Sequence, residues 1–413
     1  MKRGLAVIVI LFVTVCIAYN LALPLFEGVD EGAHFLYVDY LATNARLPDM
    51  NHPEDVMRQV HAIGAEIHQT PLYYIVAAFL VQGIDRSDYW HVFRINKDQG
   101  VIIHDHTDAE FVFPPYGTTL AVRIARLFST LLGMAFILLV YASTVRLLND
   151  ANIGILAAGI TAFNPKFVHM SSTVTNDIAV ATAGALALFI LVCLWRAAHD
   201  LQPRSRRAQQ WLLIALGATT GLAYLCKSNG LALALPAFFT VAWLAWQAVD
   251  NRFATFILNG LLCLGGFLLS AGWYLLYNTV TYGNPLAWSQ MQIGISFMAR
   301  STPLILADLP VILSSLIASY WGTFGHGVRW DSALDLVPLL ITAAILLGLG
   351  LRIARRRNSA VLVLCAVVGL SSVIAFVPWL LSYTGAESSS RLMASSSSQG
   401  KAHPDDHALC IDQ

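Results

Sequence analysis

Charge is scarce in this sequence. Only 12% of its 413 residues are charged, whereas 57% are hydrophobic, and the mean hydropathy is +0.62. A soluble domain of this length needs a more polar surface, so the composition excludes that class and indicates a multi-pass membrane protein. The 25 basic and 25 acidic residues cancel, so only their placement along the chain carries information.

Signatures of redox, metal and nucleotide sites are also lacking. The cysteines show neither CxxC nor CxxH spacing and lie mostly in apolar runs, which favours small core residues over a disulfide frame or a metal site. They are Cys16, Cys193, Cys226, Cys263, Cys365 and Cys410. Neither GxxxxGK[ST] nor a GxGxxG after a strand is present, so a nucleotide-sugar donor on the cytoplasmic face has no support.

Long apolar runs, by contrast, are abundant. Crossing a bilayer takes roughly 20 apolar residues, and about nine candidate spans result. They are Leu5–Phe26, Thr119–Val145, Ile153–Phe167, Ile178–Trp195, Trp211–Cys226, Leu231–Val249, Phe253–Tyr277, Leu336–Leu351 and Ser359–Tyr383. The first run is too long for the apolar part of a signal peptide and lacks a small-x-small cleavage site, which favours a retained helix.

The distribution of basic residues predicts the orientation. Two basic residues precede the first span, so the N-terminus is expected in the cytoplasm. If Pro71–Val81 and Pro303–Trp321 lie in the membrane interface, the basic clusters at 204–207 and 352–357 also fall on the cytoplasmic side. Topology and anionic lipid then explain these clusters, and nucleic acid is not an expected partner.

The sequence therefore predicts an all-α polytopic membrane protein whose membrane domain covers residues 1–384. Two large outer segments, 27–118 and 282–335, each carry an apolar stretch suited to an interfacial helix. Residues 385–413 are Ser-rich, polar and without periodicity, which is typical of a disordered tail.

An acidic pair, Asp30-Glu31, stands just beyond the first span. A carboxylate at a membrane exit, with His34 one helical turn further on, can take a proton from a substrate hydroxyl. The alternative is that Asp30 is the N-cap of a helix over Glu31–Thr43, where an acid also suits the helix dipole.

Three stretches, Val29–His34, Leu41–Thr43 and His68–Tyr74, resemble a bacterial membrane family of unassigned function with the pattern P-D-E-x-x-H, L-A-T-G, Q-P-P-L-Y-Y. That family is similar to the GT-C superfamily of glycosyltransferases, which includes protein O-mannosyltransferases and the aminoarabinose transferase of lipid A. Further elements follow in the same order: Arg123–Arg126, Asn164-Pro165, Ser171-Ser172, Asn176-Asp177, Cys226–Gly230 and Trp321–Gly325.

The resemblance implies a GT-C-like bundle of about nine transmembrane helices. It also implies transfer of a sugar from a polyprenyl-phosphate carrier on the outer face. Asp30 would be the catalytic base, because the first-loop Asp has that role in GT-C enzymes, with Glu31 and His34 beside it.

Five further residues are expected to bind substrate. Arg123 and Arg126 share a helix face and could clamp a phosphate, or else extend to lipid headgroups. Lys227 stands nearly alone in a short outer turn and suits a phosphate, whereas Asp177 is either a second site carboxylate or a helix cap. His68 is assigned to substrate binding with them.

A divalent cation is conceivable at His104-Asp105-His106 with Asp108 and Glu110, because these side chains are metal ligands. A solvated loop is the simpler interpretation, and no metal ligand is assigned.

Two departures from the resembling family stand out. Thr70 replaces the first of two prolines, and only Gln399–Lys401 stands where relatives have a Q-G-R-Y-like element. A truncated or frame-shifted relative, with an incomplete lipid groove, would look like this.

The leading hypothesis is an integral-membrane glycosyltransferase of the bacterial inner membrane, with its active face outside. Its expected partners are a polyprenyl-phosphate sugar donor, an envelope glycan, lipid or protein acceptor, and membrane lipid. The alternatives are a lipid-linked-sugar flippase, which needs polar residues inside its spans, and an inactive envelope scaffold.

Overall fold

The computed structural model describes residues 2–52, 66–92, 112–199 and 206–295, together with short pieces between residues 305 and 351. Apart from one short antiparallel pair, the regular structure in these parts is helical. The helices are α1 (Lys2–Ala22), α2 (Glu31–Asn44), α3 (Leu72–Val81), α4 (Tyr89–Val92), α5 (Gly117–Leu148), α6 (Ala151–Ala162), α7 (Pro165–Met170), α8 (Asp177–His199), α9 (Arg206–Cys226), a 3-10 helix (Ser228–Leu233), α10 (Ala234–Trp246), α11 (Arg252–Tyr282) and α12 (Trp288–Ile295). The pair joins β1 (Thr323–Phe324) to β2 (Val328–Arg329).

Five helical stretches of the described chain are long and apolar enough to cross a membrane. They are Arg3–Ala22, Gly117–Leu148, Asp177–Ala198, Ser228–Trp246 and Arg252–Tyr282. A helix rises about 1.5 Å per residue, so about 20 residues cover the roughly 30 Å hydrocarbon core. The chain is therefore an integral membrane protein, as its composition predicts. The predicted span Ser359–Tyr383 lies outside the described residues, and Leu336–Leu351 lies largely outside them.

The predicted span Ile153–Phe167 is not one continuous helix, because the structure breaks it into α6 and α7. Asn164 caps α7 by accepting a hydrogen bond from the Phe167 N–H at 3.0 Å, and Pro165 follows as the first helical residue. A proline at that position starts a helix but cannot continue the preceding one. The 12 residues of α6 cover only about 18 Å.

Residues 25–41 and 67–92 contribute to one buried core around α2. Most of this helix is buried, including Phe35, Tyr37 and Val38. Tyr73 and Tyr74 of α3 are buried against the same cluster, whereas Phe79 on the opposite face is 68% exposed. The interfacial placement of α3 stays a prediction. Its 10 residues cover about 15 Å, too short to span.

The α9 and α11 helices approach each other through glycine. A Cβ on Gly217 would collide with the backbone carbonyl of Cys263, and one on Gly266 would collide with that of Ile214. Gly217 and Gly221 stand four residues apart on α9, the spacing that lets membrane helices pack closely. Backbone contact between these helices therefore depends on the absence of side chains.

Gly217→Ala should destabilise the protein by about 1–3 kcal/mol, because its methyl group forces α9 away from α11. The matched control is Gly265→Ala on α11, where no described atom stands within 4 Å of the added Cβ. That control should melt at the wild-type temperature or slightly above, because alanine favours a helix. Thermal unfolding in detergent compares the two, and equal melting temperatures would contradict the packing argument.

Candidate functional site

Asp30 stands in a sharp turn between α1 and α2. Its backbone is left-handed, with φ 53° and ψ 17°, a conformation that Asp tolerates better than most residues. The residue is exposed, and its side chain makes no capping hydrogen bond to α2. The geometry therefore does not support the capping interpretation.

Glu31, the next residue, is completely buried with Arg126. Arg126 Nε donates to Glu31 Oε1 at 2.8 Å, and Arg126 Nη2 donates to Oε2 at 2.7 Å. The backbone N–H groups of Val174 and Gly28 donate to the same two oxygens at 2.8 and 3.3 Å. These four bonds fill the accepting capacity of a carboxylate.

The remaining Arg126 donors bind the chain leaving α1. They reach the carbonyl oxygens of Asn20, Leu23 and Pro24 at 3.2, 2.9 and 2.8 Å. All five guanidinium N–H groups are thereby used. The ion pair joins the end of α1, the start of α2, the α5 helix and the turn before α8.

The electrostatics of Glu31 follow from this contact. Burial alone would raise the pKa of its carboxyl, but the charge and hydrogen bonds of Arg126 hold the pKa below the ordinary value. The pair therefore stays ionised. With these groups engaged inside the protein, the catalytic role of Glu31 and the substrate-binding role of Arg126 stay predictions.

Arg123, one turn before Arg126 on α5, is also buried. Its Nη1 donates to the Asn20 carbonyl at 2.5 Å, and Asn20 Nδ2 donates back to the Arg123 carbonyl at 3.1 Å. The two arginines expected to clamp a phosphate thus both hold the end of α1. Substrate binding by Arg123 stays a prediction.

His34 is held by aromatic rings from α3 and its own helix. Its Nδ1 lies 2.8 Å from the Tyr74 hydroxyl oxygen, and the two rings stack with centroids 5.8 Å apart. Tyr74 in turn stacks on Tyr37 with centroids 4.3 Å apart. The imidazole is therefore fixed in orientation close to the turn that carries Asp30.

Asp177 and Lys227, distant in sequence, meet as an ion pair. Lys227 Nζ lies 2.5 Å from Asp177 Oδ1, and the two side chains are 24% and 44% exposed. Burial would lower the pKa of Lys227, but the carboxylates of Asp177, Glu66 and Asp30 raise it above the ordinary value. The Lys227 ammonium thus lies within the field of three carboxylates, among them Asp30.

Residues 66–70 bring further polar groups to this place. Gln69 Nε2 donates to Glu66 Oε2 at 2.9 Å, and His68 Nε2 lies 3.4 Å from the same oxygen. Burial would raise the pKa of the Glu66 carboxyl, but His34, His68, Gln69 and Lys227 hold it below the ordinary value. The segment therefore faces the same groups as Asp30 does.

Sequence reasoning selected His68 here but missed Glu66, Gln69 and Asn176. Gln69 and Asn176 lie in two stretches of the resembling pattern, His68–Tyr74 and Asn176-Asp177, but an amide has no acid–base chemistry that would single it out. Position in these stretches, or near His68 for Glu66, is too weak a signal to assign a role to a particular side chain.

The structure thus gathers one polar cluster at one end of the helix bundle, referred to below as the polar end. Its members come from four segments: Asp30, His34, Glu66, His68, Gln69, Asn176, Asp177 and Lys227. Within the described residues, no three His, Cys, Asp or Glu side chains are arranged to hold a metal ion. The conceivable cation ligands around His104-Asp105-His106 lie outside the described residues.

Residues 111–283 match the family described as dolichyl-phosphate-mannose-protein mannosyltransferase. The matched region includes Arg123, Arg126, Asp177 and Lys227, whereas Asp30 and His68 precede it. No curated protein matches the chain. With its apolar helices, this match supports a membrane glycosyltransferase of the GT-C type.

Glu31→Gln should lower the free energy of unfolding by about 3–5 kcal/mol, because it leaves the buried Arg126 charge without its counter-ion. The matched control removes a carboxylate from an exposed pair. Asp250 lies 3.8 Å from Arg206, and these side chains are 86% and 95% exposed, so Asp250→Asn should leave the melting temperature unchanged. Thermal unfolding of both variants in the same detergent tests this, and an equally stable Glu31→Gln protein would contradict it.

Proposed function

We propose that the protein transfers a sugar from a polyprenyl-phosphate carrier to a hydroxyl of an envelope glycan, lipid or protein. Mannose is the sugar to test first, because the matching family is described as using dolichyl-phosphate mannose. The protein lies in the bacterial inner membrane, and its polar end lies at the outer face of that membrane.

The observation that carries this proposal is the position of Asp30. Its carboxylate is exposed on a left-handed turn whose next residue is locked by Arg126. Its charge acts on Lys227 and on His68, so a base and two groups that bind an anion share one site. A base, a cation and a hydrogen-bond donor are what transfer from a phosphate ester to a hydroxyl requires.

In the reaction, Asp30 accepts the proton of the acceptor hydroxyl. The acceptor oxygen then forms a bond to the anomeric carbon of the sugar, and the bond from that carbon to the phosphate oxygen breaks. The electron pair leaves on the carrier phosphate, whose charge Lys227 and His68 stabilise. Asp177 keeps Lys227 in place through their ion pair until the phosphate arrives.

Glu31, Arg126 and Arg123 have a positioning role in this scheme. Their contacts are made to one another and to the backbone around Asn20, Gly28 and Val174. They fix the turn from which Asp30 extends. The proposal therefore assigns phosphate binding to Lys227 and His68, and turn geometry to the arginines.

Asp30→Asn should abolish turnover while the protein stays folded, because asparagine keeps the shape and the left-handed backbone but cannot take the proton. The assay uses purified protein in lipid with the host's polyprenyl-lipid extract, and mass spectrometry follows release of polyprenyl phosphate. Asp85→Asn, in an exposed turn of the same segment, is the control and should retain wild-type activity. Equal release by wild type and Asp30→Asn would remove Asp30 from the mechanism.

Asp30→Gly separates catalysis from stability. Glycine adopts the left-handed conformation at no steric cost, so the variant should be as stable as wild type or more stable by up to about 1 kcal/mol. Turnover should nevertheless be lost. A variant that loses stability and activity together would indicate a structural role for the Asp30 side chain. Thermal unfolding and the release assay give the two readouts.

A further inference from the structure

A chain of side-chain amides connects the turn at 66–70 to the end of α9. Asn176 Nδ2 donates to the backbone carbonyl of Cys226 at 3.0 Å and to Gln69 Oε1 at 3.2 Å. Gln69 Nε2 then contacts Glu66 Oε2 at 2.9 Å and His68 Nε2 at 3.2 Å. Four polar side chains are thus linked to one backbone carbonyl.

The direction of this chain is set at the Cys226 end. A backbone carbonyl only accepts hydrogen bonds, so the Asn176 amide must present its NH₂ group to Cys226. The same NH₂ group faces Gln69, which must therefore present its carbonyl oxygen to Asn176. The NH₂ group of Gln69 is consequently turned towards Glu66 and His68.

This direction determines the protonation of His68. The NH₂ group of Gln69 has two hydrogens, one for Glu66 Oε2 and one for His68 Nε2. A ring nitrogen that accepts a hydrogen bond has no proton, so the proton of a neutral ring must be on Nδ1. Within the described residues, both polar contacts of the ring involve Nε2. The Nδ1–H therefore lies on the opposite edge of the ring from Gln69 and Glu66.

The competing arrangement places a proton on Nε2 and directs it to Glu66. It is less favourable, because the His68 N–H would then face the N–H of Gln69 at 3.2 Å. The distance from His68 Nε2 to Glu66 Oε2 is 3.4 Å, longer than the ordinary range for such a bond.

The charges around His68 agree with a neutral ring. Burial lowers the pKa of the imidazole, and the charges of His34 and Lys227 lower it further. Glu66 and Asp30 act in the opposite direction. The result is a pKa below the ordinary value, so the ring is uncharged at neutral pH.

We propose that Asn176 and Gln69 are positioning residues that hold His68 as the neutral tautomer with its proton on Nδ1, so that it donates a hydrogen bond to an oxygen of the carrier phosphate. The phosphate part of this inference rests on the proposed function. The tautomer itself depends only on the amide chain. His68 thereby provides a hydrogen-bond donor with a fixed direction, whereas Lys227 acts on the phosphate as a point charge.

The tautomer can be measured by nitrogen NMR of [15N]histidine-labelled protein in lipid nanodiscs, with His68 assigned by the signal missing in His68→Gln. Wild type should show a protonated Nδ1 and an unprotonated Nε2. Gln69→Glu surrounds Nε2 with acceptors only, so the proton should move to Nε2. Gln82→Glu, at an exposed position after α3, is the control and should leave the spectrum unchanged.

Binding of undecaprenyl monophosphate to the same nanodiscs tests the phosphate contact. The lipid should shift the His68 Nδ1 resonance, and His68→Gln should weaken binding about tenfold, as expected for one hydrogen bond to a charged group. A proton on Nε2 in wild type, or a spectrum unaltered by Gln69→Glu, would overturn the tautomer assignment. An unshifted Nδ1 signal with saturating lipid would overturn the phosphate contact. A protein with the expected spectrum but no transferase turnover would instead refute the proposed function.

Discussion

The ion pair between Glu31 and Arg126 is the constraint on which the polar end depends. A buried charge is tolerated only when it is paired and fully hydrogen-bonded, and here every donor of Arg126 has an acceptor. Those acceptors belong to the end of α1 and the start of α2. Any displacement of these segments would leave part of the guanidinium unpaired, so the turn carrying Asp30 has one favourable geometry.

The ion pair also gives two adjacent carboxylates different environments. Glu31 is enclosed, whereas Asp30 is exposed one residue earlier on a left-handed backbone. Around them, the charged and amide side chains bond to one another and to backbone groups that end helices. The surfaces of the spans are apolar instead: on α11, Leu261 and Leu269 are 60% and 81% exposed. In the described part of the chain, the polar cluster lies near helix ends, whereas these exposed positions on α11 are apolar.

The sequence alone was sufficient for what depends on composition and local pattern. Low charge and long apolar runs predicted an integral membrane protein, and the stretch after Asp30 predicted a helix that the structure has as α2. Pairings between distant residues could not be predicted in this way. Glu31 and Arg126 looked like candidates for chemistry, because a carboxylate and a guanidinium near a membrane exit look alike whether they meet substrate or each other.

Other features were missed for a related reason. Gln69 and Asn176 lie in stretches of the resembling pattern but are uncharged, so only their hydrogen bonds in three dimensions indicate a role. The break between α6 and α7 was overlooked because Asn164-Pro165 lies inside an otherwise apolar run. Hydropathy averages over such a run, whereas the fixed φ and missing N–H of a proline act at a single residue.

The hydrogen-bond partners of Glu31 are synthesised long after Glu31 itself. Arg126 and Val174 lie 95 and 143 residues further along the chain, so neither exists when Glu31 leaves the ribosome. During synthesis the carboxylate must remain hydrated, and the apolar cluster around α2 still lacks its residues from α5 and α8. Because contacts between distant segments form late and slowly, the polar end is completed only after translation has passed Lys227. Until then the apolar side chains of α2 lack part of their cover and need protection from aggregation.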